Sequence, residues 1–402
     1  MKYDFRTPLD RTGMDALAID GLGKLDGFSP SLPKPGFDPI PMWVADMNFP
    51  TAPVIPETIA KRVSHPAYGY FSVRDEYYDA IRFWQETRNG VTGLTDECIG
   101  YENGVLGGLI SAVNALCPRG DNILIHSPTY IGFTNCLKNN GYRLVHSKLQ
   151  QDAAGVWRMD FADMEAKLRE NHIRCAVFCS PHNPCGRVWK RDELEQAYAL
   201  FEKYQVRVIS DEIWSDLILG TAKHIPSQSV SEYARMNTVA LYAPTKTFNL
   251  AGLVGSYHII YDPPLRERIE KESSLSHYNS VNLLSMYALI GAYSRQGAEW
   301  LDELRTVLAG NVSFVRNYFA ERIRGVHFFV PEGTYLLFLD CSEWCQAHGK
   351  TIEFVEKAAW DVGVCIQSGT MFGGPCHLRM NVALPLLKVQ EACRRLARYV
   401  FV

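Results

Sequence analysis

The residue best suited to covalent chemistry in this sequence is Lys246. It follows the apolar, strand-like run Thr238–Ala243 after only Pro244 and Thr245, so it lies at the C-terminal end of a predicted strand, just before a helix-like segment that begins at Asn249. In an open parallel sheet, ligands bind outside the carboxyl ends of the strands. An amine at such a position is a candidate Schiff-base nucleophile, although a solvated loop lysine is the commoner explanation for these residues taken alone.

Two other apolar runs also end in polar residues. Cys175–Ser180 stops shortly before Asn183, and Val206–Ser210 stops at Asp211. If these strands share one parallel sheet with the run before Lys246, an amine, a carboxylate and an amide face one crevice. Pyridoxal phosphate needs a lysine to bind its aldehyde, a carboxylate to keep its pyridine nitrogen protonated, and a donor near its phenolic oxygen. The combination therefore predicts this cofactor.

The segment Glu102–Gly108 supplies a candidate site for the phosphate group. It is rich in glycine and precedes the helical run Leu109–Leu116. Free backbone amides at a helix start suit a dianionic phosphate, and glycine lets that group approach closely. Neither a G-x-G-x-x-G fingerprint nor a Walker lysine occurs, so a nucleotide is not indicated. Taken alone, the segment is equally consistent with an ordinary helix start.

Phrases spread over nearly the whole chain resemble the fold-type I pyridoxal-phosphate enzymes of aminotransferase class I/II. Within that family the chain is most similar to the C-S lyase branch, the cystathionine β-lyases that include the maltose-regulon modulator type. The phrases, in the family's order, are Pro41–Phe49 (PMWVADMNF), Gly69 and Tyr70 after His65, Ser127–Phe133 (SPTYIGF), Asn183–Gly186 (NPCG), Ser210–Ile213 (SDEI), Lys246–Gly252 (KTFNLAG), Pro331–Asp340 (PEGTYLLFLD) and Arg379–Pro385 (RMNVALP).

The resemblance implies a role for each matching residue. Lys246 would hold the cofactor and then move the substrate's α-proton, with Asp211 on the pyridine nitrogen and Asn183 on the phenolic oxygen. Tyr130 would stack on the ring, which suits its flat apolar face. Arg379 would clamp the substrate carboxylate, a task for a planar fork of donors. The catalytic residues implied in this way are Lys246, Asp211 and Tyr130.

The resemblance also implies how phosphate and substrate are bound. Val105 and Leu106 would give backbone amides to the phosphate, and Thr245 would give its hydroxyl. Tyr70 would reach the phosphate from a partner subunit, which implies a homodimer. The substrate-binding residues implied are Arg379, Trp43, Ala45 and Asn183.

Three features depart from the family's pattern. Asn48 stands where the usual phrase has an acidic residue, and Trp214 replaces a common histidine or tyrosine three residues after Asp211. Trp214 can only donate, through its indole nitrogen, so it fills that place by stacking or by one hydrogen bond. The segment Phe372–Leu378 is also shorter than the glycine-rich stretch usual in this branch. These differences bear on substrate specificity.

Composition limits the class of protein. Of the 402 residues, 47% are hydrophobic and 21% are charged, as in ordinary globular proteins. The formal net charge of -3 gives no support to nucleic-acid binding. The start MKYDFRTPLDRTGMD lacks the apolar core of a signal peptide, and no apolar run is long enough to cross a bilayer. We therefore expect a cytoplasmic enzyme that binds neither membrane nor nucleic acid.

The 11 cysteines are scattered, which is typical of reduced thiols rather than of a disulfide framework. Cys175, Cys179, His182 and Cys185 lie close enough to imitate a zinc site. The first two fall within a strand-like run, where cysteine behaves as a small buried hydrophobe, so no metal is predicted.

Alternating apolar and amphipathic runs predict an α/β protein with a mostly parallel sheet flanked by helices. The resemblance implies the fold type I of the pyridoxal-phosphate transferases, with a large domain built on that sheet and a smaller α+β domain. The predicted division is an N-terminal arm over 1–49 that joins the small domain, a large cofactor-binding domain over 50–285, and a small C-terminal domain over 286–402. The predicted strands are Asn122–His126, Arg143–Lys148, Cys175–Ser180, Val206–Asp211, Thr238–Ala243 and Gly255–Tyr261. The predicted helices are Met159–Glu170, Arg191–Tyr204 and a long stretch Val281–Arg324, followed by strand-like His327–Val330 and Thr334–Leu339.

The activity that the resemblance implies is β-elimination from cystathionine or a related sulfur amino acid, giving a thiol, pyruvate and ammonia. Aminotransferases use the same lysine, aspartate and arginine, so an aminotransferase acting on aromatic or sulfur amino acids is the alternative. Trp43, Tyr68 and Phe372 would line an apolar pocket for it, unless they are simply core residues. A further alternative is a cofactor-bound protein that sequesters a regulator.

Overall fold

The computed structural model describes residues 1–25, 27–277 and 279–402, and for residues 275–277 only the backbone. The α-helices are α1 Leu17–Asp20, α2 Val54–Val63, α3 Asp75–Asn89, α4 Val105–Leu116, α5 Ile131–Asn139, α6 Phe161–Glu170, α7 Arg191–Lys203, α8 Glu232–Asn237, α9 Pro263–His277, α10 Leu283–Ala292, α11 Arg295–Arg322, α12 Ser342–His348, α13 Ile352–Asp361 and α14 Leu386–Arg395. Five residues of π-helix, Leu396–Val400, follow the last of them.

The strands alternate with these helices along the first two thirds of the chain. They are β1 Ile40–Pro41, β2 Ile99–Asn103, β3 Asn122–Ser127, β4 Arg143–Lys148, β5 Gln150–Gln151, β6 Trp157–Arg158, β7 Cys175–Cys179, β8 Arg207–Asp211, β9 Thr238–Tyr242, β10 Gly255–Ile259, β11 Leu336–Asp340, β12 Val364–Cys365, β13 Gln367–Ser368 and β14 His377–Asn381. Among the helices described, none combines the length and the apolarity that a bilayer crossing requires.

A seven-stranded sheet forms the centre of the molecule, in the order β2-β10-β9-β8-β7-β3-β4. Strand β10 runs antiparallel to both of its neighbours, and the remaining pairs are parallel. Successive residues of β7 enter opposite hydrophobic clusters, Val177 one and Phe178 the other, because side chains alternate between the faces of a strand. Both faces are therefore covered, which confirms the predicted mostly parallel sheet flanked by helices.

A three-stranded antiparallel sheet, β11-β14-β13, is built from the C-terminal third of the chain. The N-terminal arm joins this part, because β1 pairs in parallel with β12 through Ile40 and Val364. This pairing agrees with the expected association of the arm with C-terminal residues. The boundaries at residues 49 and 285 stay a prediction.

The predicted long helical stretch Val281–Arg324 is helical, but it is divided into two helices, α10 and α11, and the Ser294 side chain caps the second by accepting a hydrogen bond from the Gly297 amide. Two other local predictions are wrong. Residues 327–330 form no strand, only an isolated bridge from His327 to Asp340. The segment from Asn249 begins no α-helix, because Asn249 itself has φ 57°, a left-handed conformation that interrupts a right-handed helix.

Three parallel strands end at one edge of the central sheet and place the candidate residues there. Cys179 at the end of β7 is paired with Asp211 at the end of β8, and Asp211 is paired with Leu241 in β9. The turns that follow carry Asn183 and Lys246 beyond the same edge. The expected convergence of these residues thus follows from strand register.

A buried carboxylate next to Asp211 secures the turn after β8. Glu212 is fully buried, and its Oε1 accepts hydrogen bonds from the Ser210 hydroxyl at 2.9 Å and the Ser227 amide at 3.0 Å. Its Oε2 accepts from the Tyr242 hydroxyl at 2.6 Å and lies 2.7 Å from Nε2 of His224. Burial alone raises the pKa of Glu212, but His224 and these hydrogen bonds outweigh burial and lower the pKa overall.

We predict that Glu212→Gln lowers the free energy of unfolding by about 3 kcal/mol, because the amide group can no longer accept all four hydrogen bonds. Chemical denaturation of both proteins at neutral pH measures this difference. The control is Glu195→Gln on α7, where an exposed carboxylate lies 3.9 Å from Arg191. That change is expected to alter the free energy by less than about 0.5 kcal/mol. Equal effects of the two substitutions would refute a stabilising role for the Glu212 network.

Candidate active site

A cavity of about 260 Å³ lies beyond the carboxyl ends of β7, β8 and β9. Most of the residues predicted to act on cofactor or substrate line it, which brings together segments far apart in sequence. The predicted residues in its wall are Ala45, Val105, Leu106, Tyr130, Asn183, Asp211, Thr245 and Lys246. Two further lining residues are Gly104, from the predicted phosphate segment, and Trp214, which departs from the family's pattern. The remaining ones, to which the sequence assigned no role in the site, are Cys179, Ile213, Ala251 and Val254.

The Lys246 amine is held in the cavity by a single described hydrogen bond. Its Nζ donates to the carbonyl oxygen of Ala45 at 2.8 Å. Burial lowers the pKa of Lys246 from 10.5 to about 8, while the nearby carboxylates of Asp46 and Asp211 act in the opposite direction. A substantial share of the amine is therefore neutral and nucleophilic near neutral pH.

Asp211 presents a carboxylate on the same cavity wall. Burial raises its pKa to about 7, while the hydrogen bond from the Ile213 amide and the charge of Lys246 lower it. The amide of Ile213 donates to Oδ1 at 3.0 Å and fixes the orientation of the carboxyl group. A cationic ligand atom next to this carboxylate would keep it ionised, because opposite charges stabilise each other in a buried site.

The start of α4 provides a positive end to the cavity. Gly104 precedes the helix with φ 76°, a backbone conformation that favours glycine, and Val105 and Leu106 begin the helix. The first amides of an α-helix lack partners within it and carry the positive end of the helix dipole. With the buried Thr245 hydroxyl on the cavity wall, these groups suit an anion.

Tyr130 supplies a flat aromatic wall. It stands at the N-terminal cap of α5, and its ring makes an edge contact with Phe133 at a centroid distance of 5.4 Å. The residue at position 132, two after Tyr130, must be small, since a Cβ on Gly132 would lie 2.3 Å from Cε1 of Tyr130. This close approach explains why a glycine follows the tyrosine in SPTYIGF.

Arg379 lies behind the cavity in strand β14. Its Nη2 donates to the Trp43 carbonyl at 3.0 Å and to Oε1 of Gln367 at 2.6 Å, and its guanidinium lies 4.2 Å from the Phe372 ring centroid. Its Nε and Nη1 are buried and have no partner among the described residues. Burial lowers its pKa to about 10. Two unused donors on a buried cation are suited to a carboxylate.

Three predicted residues do not line the cavity, namely Arg379, which lies behind it, Trp43 and Tyr70. The Trp43 side chain is fully buried in the core and its indole donates to the Ala18 carbonyl at 3.0 Å, so only the Trp43 carbonyl faces Arg379. Tyr70 is fully exposed on the surface. The suggested apolar pocket is likewise not formed, because Phe372 is buried in a core cluster and Tyr68 is exposed.

Other polar groups near Arg379 gave no sequence signal. The Tyr335 hydroxyl and Oδ1 of Asp46 are both buried without a partner among the described residues. The Tyr335 ring packs edge-on against Trp214 at 4.9 Å, so Trp214 fills its place at least by aromatic contact. Asp46 and Tyr335 lie within two of the sequence segments that resemble the family, PMWVADMNF and PEGTYLLFLD. Only the structure shows that each has an unpaired polar atom.

Comparison with known proteins identifies the family of this chain. Residues 51–396 match the family model "Aminotransferase class I and II". The chain is 32% identical to "Cystathionine beta-lyase PatB" of Bacillus subtilis, covering 98% of this chain and 99% of that protein, and 32% identical to "Protein MalY" of Escherichia coli, covering 97% and 96%. The structure of the PLP-bound C-S lyase from Staphylococcus hominis superposes with a TM-score of 0.88 at 29% identity, over 98% of each chain. The chain therefore belongs to the aminotransferase class I and II family.

Proposed function

We propose that the protein is a pyridoxal-phosphate-dependent C-S β-lyase that converts cystathionine or a related sulfur amino acid into a thiol, pyruvate and ammonia. The observation that carries the proposal is the convergence of Lys246, Asp211 and the start of α4 on one cavity. The proposal of a lyase rather than an aminotransferase draws on the names of relatives with nearly complete coverage, a cystathionine β-lyase and a C-S lyase.

The residues present fit the cofactor. The positive helix start of α4 suits its phosphate, and the Asp211 carboxylate suits its pyridine nitrogen. Asn183 is buried in the cavity wall with Oδ1 unpartnered among the described residues, and its side-chain nitrogen is the atom that would donate to the phenolic oxygen. Tyr130 offers a ring face for stacking and Lys246 a partly neutral amine for the aldehyde.

When bound, pyridoxal phosphate supplies an electron sink for the charge that develops at the substrate's α-carbon. Arg379 binds and orients the substrate through its unused Nε and Nη1 donors, which match the two oxygens of the α-carboxylate. Lys246, in its neutral form, accepts the α-proton at Nζ. Asp211 keeps a negative charge beside the pyridine nitrogen and thereby holds a proton there. Loss of the β-substituent as a thiolate then gives the lyase products, with water consumed in releasing ammonia.

We predict that the holoprotein releases pyruvate and ammonia from cystathionine without any added keto acid. A coupled assay for pyruvate and a separate assay for ammonia measure the two products. Arg379→Lys should raise KM by roughly tenfold or more, since an ammonium cannot replace a two-pronged donor to the carboxylate. Strict dependence on a keto-acid acceptor would instead identify an aminotransferase.

We predict that the rate at which the apoprotein captures pyridoxal phosphate rises with pH and is half-maximal near pH 8. Only the neutral amine attacks an aldehyde, and burial lowers the pKa of Lys246 to about 8. Borohydride reduction at timed intervals, followed by digestion and mass spectrometry, measures label on the Lys246 peptide. Lys246→Ala is the control and should carry no label there. Half-maximal capture near the ordinary lysine pKa of 10.5 would contradict the structure.

We further propose that two chains form a homodimer in which Tyr70 of each reaches the phosphate bound by the other. The support is local exposure: Tyr70 is fully exposed, its neighbour Phe71 is 40% exposed, and both line a surface cleft of about 650 Å³. Exposed aromatic side chains grouped in this way are typical of an interface. In a dimer their apolar surface would leave water.

We predict that Tyr70→Phe weakens pyridoxal-phosphate binding by roughly tenfold, because it removes one hydroxyl donor to a charged phosphate. Equilibrium dialysis measures the dissociation constant, and analytical ultracentrifugation measures the assembly. Tyr399→Phe removes another partly exposed hydroxyl and is the control, with no expected change. A monomer that binds the cofactor as tightly as the wild-type protein would rule out the role of Tyr70 across an interface.

A further inference from the structure

One short segment, residues 43–48, connects the two cationic residues of the candidate site. The Trp43 carbonyl accepts from Nη2 of Arg379 at 3.0 Å, and the Ala45 carbonyl accepts from Nζ of Lys246 at 2.8 Å. Asn381 follows Arg379 in β14 and donates to the carbonyls of Val44 at 2.7 Å and Asp46 at 2.6 Å. The position of this segment therefore determines where the amine and the guanidinium lie relative to each other.

The same segment is also tied to the turn after Lys246. Asn249, in a left-handed conformation, accepts from the Met47 amide at 3.0 Å and donates to the Met47 carbonyl at 2.9 Å. The Asn48 amide donates to the Ala383 carbonyl at 2.9 Å. The main chain of the 43–48 segment is thus held by the Asn249 side chain and by the Ala383 carbonyl.

One side chain from the N-terminal arm secures the segment from its solvent side. Nη2 of Arg11 contacts Oδ2 of Asp46 at 2.8 Å, and its Nη1 donates to the Met47 carbonyl at 3.1 Å and to Oδ1 of Asn48 at 3.3 Å. The Arg11 and Asp46 side chains are only 17% and 15% exposed. Residues 6–10 and 12–15 are exposed, whereas Arg11 is partly buried, so Arg11 is the residue through which this part of the arm contacts the rest of the protein.

We propose that Arg11 is a positioning residue. It fixes the 43–48 segment, so that the Lys246 amine and the Arg379 guanidinium keep their relative positions, and it balances the charge of Asp46 beside the lysine. The proposal rests on the proposed function for what the two cations do. It also assigns a role to Asn48, whose amide oxygen serves as an uncharged acceptor for Arg11 while its nitrogen donates to the Pro41 carbonyl at 3.3 Å. The pair of Arg11 and Asp46 is thereby left with no net charge.

Removal of Arg11 has an electrostatic consequence with a definite sign. The charged groups that face Lys246 are Asp46, Asp211 and Arg379. Asp46 raises the pKa of Lys246, and Arg11 partly cancels that field because its positive charge lies against the same carboxylate. Without Arg11 the amine becomes harder to deprotonate, and capture of pyridoxal phosphate shifts to higher pH.

The test compares three holoproteins, namely the wild type, Arg11→Met and the matched control Arg6→Met. Arg6 is an exposed arginine of the same arm. Arg11→Met should raise KM for cystathionine by roughly tenfold, the usual worth of charge-assisted hydrogen bonds, with a smaller change in kcat. The pH midpoint of cofactor capture should rise. Arg11→Lys should restore the wild-type pH midpoint, because the ammonium keeps the positive charge. It should reverse only part of the increase in KM, because an ammonium lacks the planar set of donors of the guanidinium.

Hydrogen exchange of the apoprotein provides a readout that needs neither cofactor nor turnover. The amides of Met47 and Asn48 should exchange faster in Arg11→Met than in Arg6→Met, while amides of the central strand β8 remain equally protected. Unchanged exchange, KM and pH midpoint in Arg11→Met would overturn the proposal. If wild-type protein neither captures pyridoxal phosphate nor cleaves cystathionine, the proposed function fails, and exchange alone still decides whether Arg11 locks the segment.

Discussion

The pairing of two opposite charges away from bulk water, at the ends of neighbouring strands, is the constraint on which the site depends. Asp211 ends β8 and is buried, and Lys246 follows β9 and is partly buried. Burial disfavours the charged form of both, so the pKa of the acid rises and that of the amine falls toward neutrality. Each group is thus prepared for a ligand that brings the complementary charge or an aldehyde. A solvated pair at the same separation would show neither property.

Hydrogen bonds from neighbouring groups fix the turn that carries Asp211. Glu212, one residue after Asp211, meets donors on both oxygens. On the side of the candidate site, in contrast, Asn183, Asp46, Tyr335 and Arg379 all keep buried polar atoms without a partner among the described residues. Natural proteins seldom leave such atoms unpaired, so the Asn183 side chain in the cavity wall and the Arg379 side chain behind it are available to a polar ligand.

The geometry also explains how remote segments act together. Strand β14 carries Arg379, and the turn after β9 carries Lys246, yet neither element pairs with the other. The carbonyl groups of residues 43–48 bridge the gap, so a short piece of irregular backbone sets the spacing of the two cations. The side chain of Trp43 anchors this piece in the core instead of facing the substrate.

The sequence by itself predicted the sheet and the polar residues at its edge, because apolar runs that stop at polar residues reflect local burial and strand ends. The family was predicted from phrases such as SPTYIGF and KTFNLAG, which resemble the family's own. The sequence predicted Lys246, Asp211 and Asn183 correctly as neighbours, and the glycine-rich helix start with them. Only the tertiary structure decided that Trp43 is a core residue, that Tyr335 and Asp46 have unpaired atoms, and that Arg11 contacts Asp46 across 35 positions. Contacts between residues far apart in sequence depend on how whole elements pack, and no periodicity or motif records that packing.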